Sequence, residues 1–275
     1  MVLSIKTGES PEVIKGLRKI LLKTGYTCNN NCIFCHSVPF RAYPDLSYRE
    51  LTMKIRSAVK AGAEMVVFSG GEPTIRRDIV ALSKKASEMG LAVGLVTNGR
   101  MLGYESFLEQ LLENGLSYIL LSLHGSSEEI HDALVRCEGF HQAIQSLRLL
   151  RRHGVFVTVN VVVNKFNIGD LRNIVDRVFS EAPANLKFSF PEPKGAVLER
   201  FDELVPSIRE AAEVVEDAMR YADEKSGGEF FIGCDGFTPC LIANYDRRKD
   251  DLFTHNYLAM SETFEEGFFE PDYGD

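Results

Sequence analysis

Cys28, Cys32 and Cys35 are the residues of this 275-residue chain whose type and spacing most directly suggest chemistry. They lie in Tyr26-Thr-Cys-Asn-Asn-Asn-Cys-Ile-Phe-Cys-His36, directly after an apolar run that reads as the first strand. Three thiolates this close in sequence converge on one small object only if the loop wraps around it. Soft thiolate ligands favour iron–sulfur clusters, zinc or copper(I). A structural zinc site needs a fourth ligand, which His36 or the distant Cys234 and Cys240 can supply. A [4Fe–4S] cluster ordinarily takes four cysteines, so three leave one iron open. The six cysteines in all do not make a disulfide scaffold for a chain of this size, and their clustering points to metal or redox chemistry.

The elements around this loop must hold it in place. Apolar, β-rich runs at 19–23, 65–69, 92–97, 118–123, 156–163 and 186–190 alternate with helical patterns at 48–61, 76–89, 106–113, 139–153, 168–179 and 207–225. Ser47-Tyr-Arg-Glu50 and Ser126-Ser-Glu-Glu129 have the spacing of capping boxes. Strands apolar on both faces suit a parallel sheet covered by helices. Six βα units in a row predict an α/β sheet, open or curled into a partial (β/α)6 TIM-like barrel. In such sheets ligands bind in the loops after the C-terminal strand ends, and the cysteine loop is one of these. The pattern divides the chain into an N-terminal segment at 1–17, the barrel at 18–226 and a short irregular C-terminal extension at 227–275.

Composition narrows the function classes. Apolar residues make up 45% and charged residues 25%, ordinary values for a globular chain, which disfavours disorder and coiled coil. A net charge of −8 argues against gripping nucleic acid over the whole surface. No basic stripe with interleaved aromatics is present either. The apolar stretch at 155–163 is too short to span a bilayer, and 1–10 lacks the apolar core of a secretory signal. The expectation is a cytoplasmic protein with no nucleic acid or membrane partner.

The spacing Cys-x3-Cys-x-aromatic-Cys resembles that of the radical S-adenosylmethionine (SAM) superfamily, over roughly residues 18–190. Gly70-Gly71-Glu72-Pro73, after the second strand, looks like the GGE motif of that superfamily. Thr97-Asn98-Gly99 and Ser122-Leu-His-Gly125 close the third and fourth strands at the same edge of the predicted sheet. The resemblance implies that Cys28, Cys32 and Cys35 hold a [4Fe–4S] cluster whose fourth iron is chelated by SAM. It further implies that Phe34 packs near the adenine and that Gly70, Gly71, Glu72 and Pro73 meet the SAM ammonium. Asn98 and Ser122 resemble the residues that reach the ribose, and Arg136 the one that pairs with the SAM carboxylate. Asn160 and Asn164 flank the fifth strand, and one of them is expected to touch SAM. His124 reads as a proton shuttle, as an orienter of SAM, or as a loop cap. Cys137 reads as a small buried hydrophobe, and His131, His141 and His153 as surface residues.

The implied activity is reductive cleavage of SAM to a 5′-deoxyadenosyl radical that removes hydrogen from a substrate. An electron donor such as a flavodoxin or ferredoxin is implied with it. The motifs, with Pro193-Lys-Gly195 after the sixth strand, look most like the branch of peptide maturases and cofactor-biosynthesis enzymes. A peptide is the first expectation for the substrate, and a small metabolite or tetrapyrrole-type precursor the second. The segment at 234–240 resembles the start of a SPASM/twitch-like auxiliary-cluster extension, yet no cysteine follows Cys240. An iron–sulfur carrier and a zinc-stabilised binding module are the competing classes. The carrier accounts for the triplet but not for Gly70-Gly71-Glu72-Pro73, Asn98 and Ser122 at successive strand ends.

Overall fold

A computed structural model describes residues 17–182, 184–243 and the backbone of a strand at Tyr257–Ser261. Strands β1 (Lys19–Lys23), β2 (Met65–Ser69), β3 (Ala92–Thr97), β4 (Leu116–Ser122), β5 (Phe156–Val162), β6 (Asn185–Ser189) and β7 (Ile232–Asp235) lie side by side in chain order. A further strand, β8 (Tyr257–Ser261), pairs with the outer side of β1. Every pairing is parallel. β7 and β8 form the two edges, so the α/β sheet curls into a partial barrel and stays open.

Helices cover the outer face: α1 (Tyr48–Lys60), α2 (Ile79–Glu88), α3 (Glu105–Glu113), α4 (Glu128–Val135), α5 (Phe140–Arg152), α6 (Leu171–Glu181) and α9 (Ile208–Ser226). Two single turns, α7 (Ala196–Glu199) and α8 (Phe201–Leu204), follow β6. Among the described residues no helix is long and apolar enough to cross a membrane. Alternation along the strands produces two cores. Ile20, Leu22, Val66, Phe68, Ile119 and Leu121 face the helices. Leu21, Met65, Val67, Tyr118 and Leu120 face inward and plug the barrel. Gly94 makes room for this plug, since a Cβ there would stand 3.0 Å from the Tyr118 ring and 3.2 Å from Val67.

The six expected strands are all present, shifted by two residues at most. The capping box at Ser47 forms in full, with Ser47 Oγ accepting from Glu50 N–H and the Glu50 carboxylate accepting from Ser47 N–H. At the second box the cap is Ser127, one residue later than the motif predicts, because Ser126 donates instead to Asp170 from both N–H and Oγ. The helix expected from residue 76 begins at Ile79. Arg76 is taken up in bonds to the Thr24 and Leu46 carbonyls and to Asp78.

The extension after residue 226 differs from the irregular segment expected. Its described part adds β7 to one edge of the sheet and β8 to the other. β7 is four residues long with two of them Gly and Asp, too short and too polar to show a strand pattern, and its pairing with β6 overrides local propensity. Residues 1–16, most of the expected N-terminal segment, lie outside the described residues.

Replacing Ser47 with Ala should lower stability by about 1 kcal/mol, the usual worth of an N-cap side chain. Chemical denaturation with an unchanged m-value would report it.

Candidate active site

One cavity of 540 Å³ opens at the C-terminal ends of the strands. Its wall includes Cys28, Cys32, Phe34 and Cys35 from the loop after β1, and Gly70, Gly71 and Glu72 from the end of β2. Asn98 after β3 and Ser122 at the end of β4 complete that side. Pro73 begins a 3-10 turn and is buried outside the cavity lining. Arg136 is also outside it. It is exposed, caps α4 with the left-handed φ of 53°, and acts on Glu203, whose carboxyl is held low first by Arg200 and then by Arg136.

The cysteine loop is built onto the next strand's end. Gly71 N–H donates to the Gly25 carbonyl and Glu72 N–H to the Thr27 carbonyl, both at 2.9 Å, extending the β1–β2 ladder past its last residue. A Cβ on Gly71 would stand 2.2 Å from the Thr27 oxygen and 2.5 Å from the Tyr26 oxygen. Gly70, at φ 129°, would meet the Gly25 oxygen at 2.2 Å. The two glycines therefore make way first for the protein's own backbone.

Other elements tie the loop from the remaining sides. Asp45 accepts from Tyr26 and Thr27 N–H, and the carbonyls of Val135 and Leu134 accept from Asn31 and Ile33 N–H. Asn98 Nδ2 donates to Asn29 Oδ1 at 2.7 Å, and Arg100 to the Asn29 carbonyl at 2.6 Å. Gly195 packs against the backbone of Cys35 and His36.

Glu72 is the buried junction of this wall. Its Oε1 accepts from Thr74 N–H, Thr74 Oγ1 and Thr97 Oγ1, and its Oε2 from Asn98 N–H at 2.7 Å. Burial pushes its carboxyl above the ordinary range, against the pull of these donors.

Two histidines lie under the cluster loop. His124 Nδ1 accepts from Val162 N–H, and its ring meets Phe34 edge-on at 4.7 Å. His131 Nδ1 accepts from His124 N–H at 3.1 Å. The surface position expected for His131 is thus corrected: the helix face carrying it turns inward, leaving it 2% exposed. Burial lowers the two pKa values to about 3 and about 4, so both rings are neutral at pH 7. Cys137 is half-buried beside the loop and donates to Asn30 Oδ1 at 3.1 Å.

Sequence reasoning did not find the opposite wall. Lys187, on β6 and 4% exposed, pairs with Asp235 on β7 at 2.6 Å. Ser189 Oγ donates to Asn160 Oδ1 at 2.7 Å. Of Asn160 and Asn164, the two asparagines flanking the fifth strand, it is Asn160 that lines the cavity. A lysine flanked by Leu186 and Phe188 gives no sequence signal of facing a cavity rather than solvent. Cys234 lies on the helix-facing side of β7, in the outer core, and Cys240 is exposed.

A radical SAM superfamily model matches residues 22–178, more than half of the chain. The chain belongs to the radical SAM superfamily. The Fe-coproporphyrin III synthase of Methanosarcina barkeri is 29% identical over 205 residues, covering 72% of this chain and 50% of that protein. The PqqA peptide cyclase of Rhodopseudomonas palustris is 29% identical over 207 residues, covering 74% of this chain and 54% of that protein. This radical SAM chain spans about half the length of the curated relatives it matches. Its fold is shared with Streptococcus suis SuiB bound to precursor peptide SuiA, at a TM-score of 0.68 and 17% identity over 80% of this chain and 49% of that one. Methylornithine synthase (PylB) gives a TM-score of 0.58 at 17% identity, over 88% and 86%.

The cofactors of the radical SAM superfamily are a [4Fe–4S] cluster and SAM, and the thiols here suit a cluster better than a single ion. Sulfurs around one zinc lie about 3.8 Å apart, from a bond length of about 2.3 Å. Among the described residues, the only three ligand atoms all within 4.8 Å of one another belong to Glu105, Glu109 and His153 on the surface. The cysteine triplet is spread wider, as a multi-iron unit requires. Burial pushes the Cys28 thiol up to about 11 and raises that of Cys32 too. Positive iron is what would release these protons.

Gly71→Val should therefore cost the cluster itself, since the side chain collides with the carbonyls that shape the cysteine loop. Iron analysis after anaerobic reconstitution should find most of the iron missing. The histidine pair predicts acid sensitivity. A ring with a lowered folded pKa binds its proton more readily unfolded, so its contribution is complete above about pH 6.5 and is lost as pH falls toward 3 to 4. Unfolding between pH 8 and pH 4.5 should show falling stability below pH 6.5, with a smaller slope in His124→Gln.

Proposed function

We propose that this chain is an enzyme that cleaves SAM reductively and abstracts hydrogen from a substrate, in the first instance a peptide. The observation that carries the reading is the convergence of the cysteine loop and three successive strand ends on one cavity. Bound there, a [4Fe–4S] cluster would supply one electron to SAM, and the 5′-deoxyadenosyl radical released would take hydrogen from the substrate.

The chain's residues divide this work. Cys28, Cys32 and Cys35 would ligate iron. Glu72 Oε2 accepts a single bond among the described residues, leaving a lone pair for the SAM ammonium. Gly70 and Gly71 let the cysteine loop cross close to the end of β2 beside Glu72, and Pro73 sets the turn that holds Glu72. Asn98 and Ser122 would face the ribose. Phe34, buried between His124 and the loop, would pack under the adenine. Arg136 is given no role in this arrangement because it is exposed and does not line the cavity.

The Lys187–Asp235 and Ser189–Asn160 pairs would meet the substrate. A buried ion pair is a costly way to stabilise a barrel, and on a cavity wall it reads as a binding feature. The peptide reading draws on the similarity to the PqqA peptide cyclase and to peptide-bound SuiB. The similarity to the Fe-coproporphyrin III synthase favours a tetrapyrrole-type precursor as the second reading. A flavodoxin or ferredoxin would deliver the electron, in a compartment that keeps thiols reduced.

Anaerobically reconstituted protein should cleave SAM with a reductant, and Cys28→Ala, Cys32→Ala and Cys35→Ala should each abolish cleavage. Deuterium carried from a labelled peptide into 5′-deoxyadenosine would support the peptide reading; transfer only from a tetrapyrrole precursor would replace it. A coloured protein without SAM cleavage would return the chain to the class of carriers.

A further inference from the structure

Among the described residues Arg41 is the one arginine that lines the cavity. It caps a 3-10 turn (Val38–Phe40) just beyond the cysteine loop and bends back over that loop. One end of its guanidinium donates to Asn31 Oδ1 at 2.9 Å and to the Asn30 carbonyl at 3.1 Å. Both acceptors lie in the three-residue span between Cys28 and Cys32. Its Nη2 stands 3.9 Å from Cys35 Sγ. Its Nε–H is buried and has no partner among the described residues.

A buried N–H without an acceptor is costly. This one belongs to a side chain already fixed by two oxygens and one sulfur of the cluster loop, so its orientation is set. The unfilled donor thus belongs to a guanidinium that lines the cavity shared by Cys28, Cys32 and Cys35 and already reaches the Cys35 sulfur. We propose that Arg41 is a positioning and tuning residue for the cluster, donating from Nη2 to the Cys35 thiolate and from Nε to a sulfur of the cluster. The inference rests on the cluster assignment of the preceding section and goes beyond it.

The consequence is electrostatic. Reduction adds one negative charge to a cluster whose ligands are already anionic. A fixed cation and N–H···S bonds at its edge stabilise that state, and such bonds are among the factors that set cluster potentials. Arg41 thus makes the cluster easier to reduce while bracing the loop that holds it.

The test uses the full chain, reconstituted anaerobically, with Arg41→Gln and Arg41→Lys. Three quantities are measured: iron and sulfide per chain, the midpoint potential by EPR-monitored titration without SAM, and SAM affinity by calorimetry. The expected result is a lower midpoint in Arg41→Gln, a smaller drop in Arg41→Lys, and SAM affinity near that of the parent. An unchanged midpoint in Arg41→Gln with a complete cluster overturns the proposal. Weakened SAM binding with an unchanged midpoint overturns it as well, and would make Arg41 a fork for the SAM carboxylate. If Arg41→Gln cannot retain iron, Arg41→Lys decides, and a midpoint equal to the parent's is then the overturning outcome. A parent chain that takes up no cluster overturns the cluster assignment together with the proposal, whereas a failure confined to the variants leaves that assignment standing.

Discussion

Backbone meets backbone where the cysteine loop crosses the end of β2, and the rest of the site depends on that contact. Hydrogen bonds from Gly71 and Glu72 to Gly25 and Thr27 continue the sheet beyond the last residues of the β1–β2 ladder. No Cβ fits at the crossing. Side-chain ties from Asp45, Asn98 and Arg100 then act on a loop whose path is already set. The thiols inherit their positions from this crossing.

The sheet was legible because its strands are short apolar runs separated by amphipathic helices, a pattern that burial on both faces imposes. The positions of Cys28, Gly71, Glu72, Asn98 and Ser122 at one edge followed from strand polarity alone. The role of the glycines did not. Sequence reading assigns them to close approach of a ligand, whereas their nearest neighbours are carbonyls of the preceding loop. Arg136 illustrates a second limit. A left-handed residue at the end of a helix reverses the chain, and that handedness decides whether the side chain meets the cavity or solvent. His131 shows a third, since two adjacent turns of helix differ in polarity too little for the pattern to say which faces inward.

Charge is distributed unevenly around the cavity. On the cluster side, buried thiols, a buried carboxyl and two neutral imidazoles are groups whose ionisation burial opposes. On the β5–β7 side Lys187 pairs with Asp235, and Glu192 beyond β6 pairs with Lys194. Arg41 is the guanidinium at the junction with the cysteine loop. A site so arranged sets its unpaired thiols on one wall and its ion pair on the other.

The pairing of β8 with β1 has a consequence for biosynthesis. The strand that launches the cysteine loop has one neighbour from the first third of the chain and the other from near residue 260. During translation β1 therefore keeps one side bare until the residues near 260 have left the ribosome. Contacts that span so much sequence form late and slowly. The cysteine loop is thus launched from a strand that gains its second neighbour only after all the other strands of the sheet have been made.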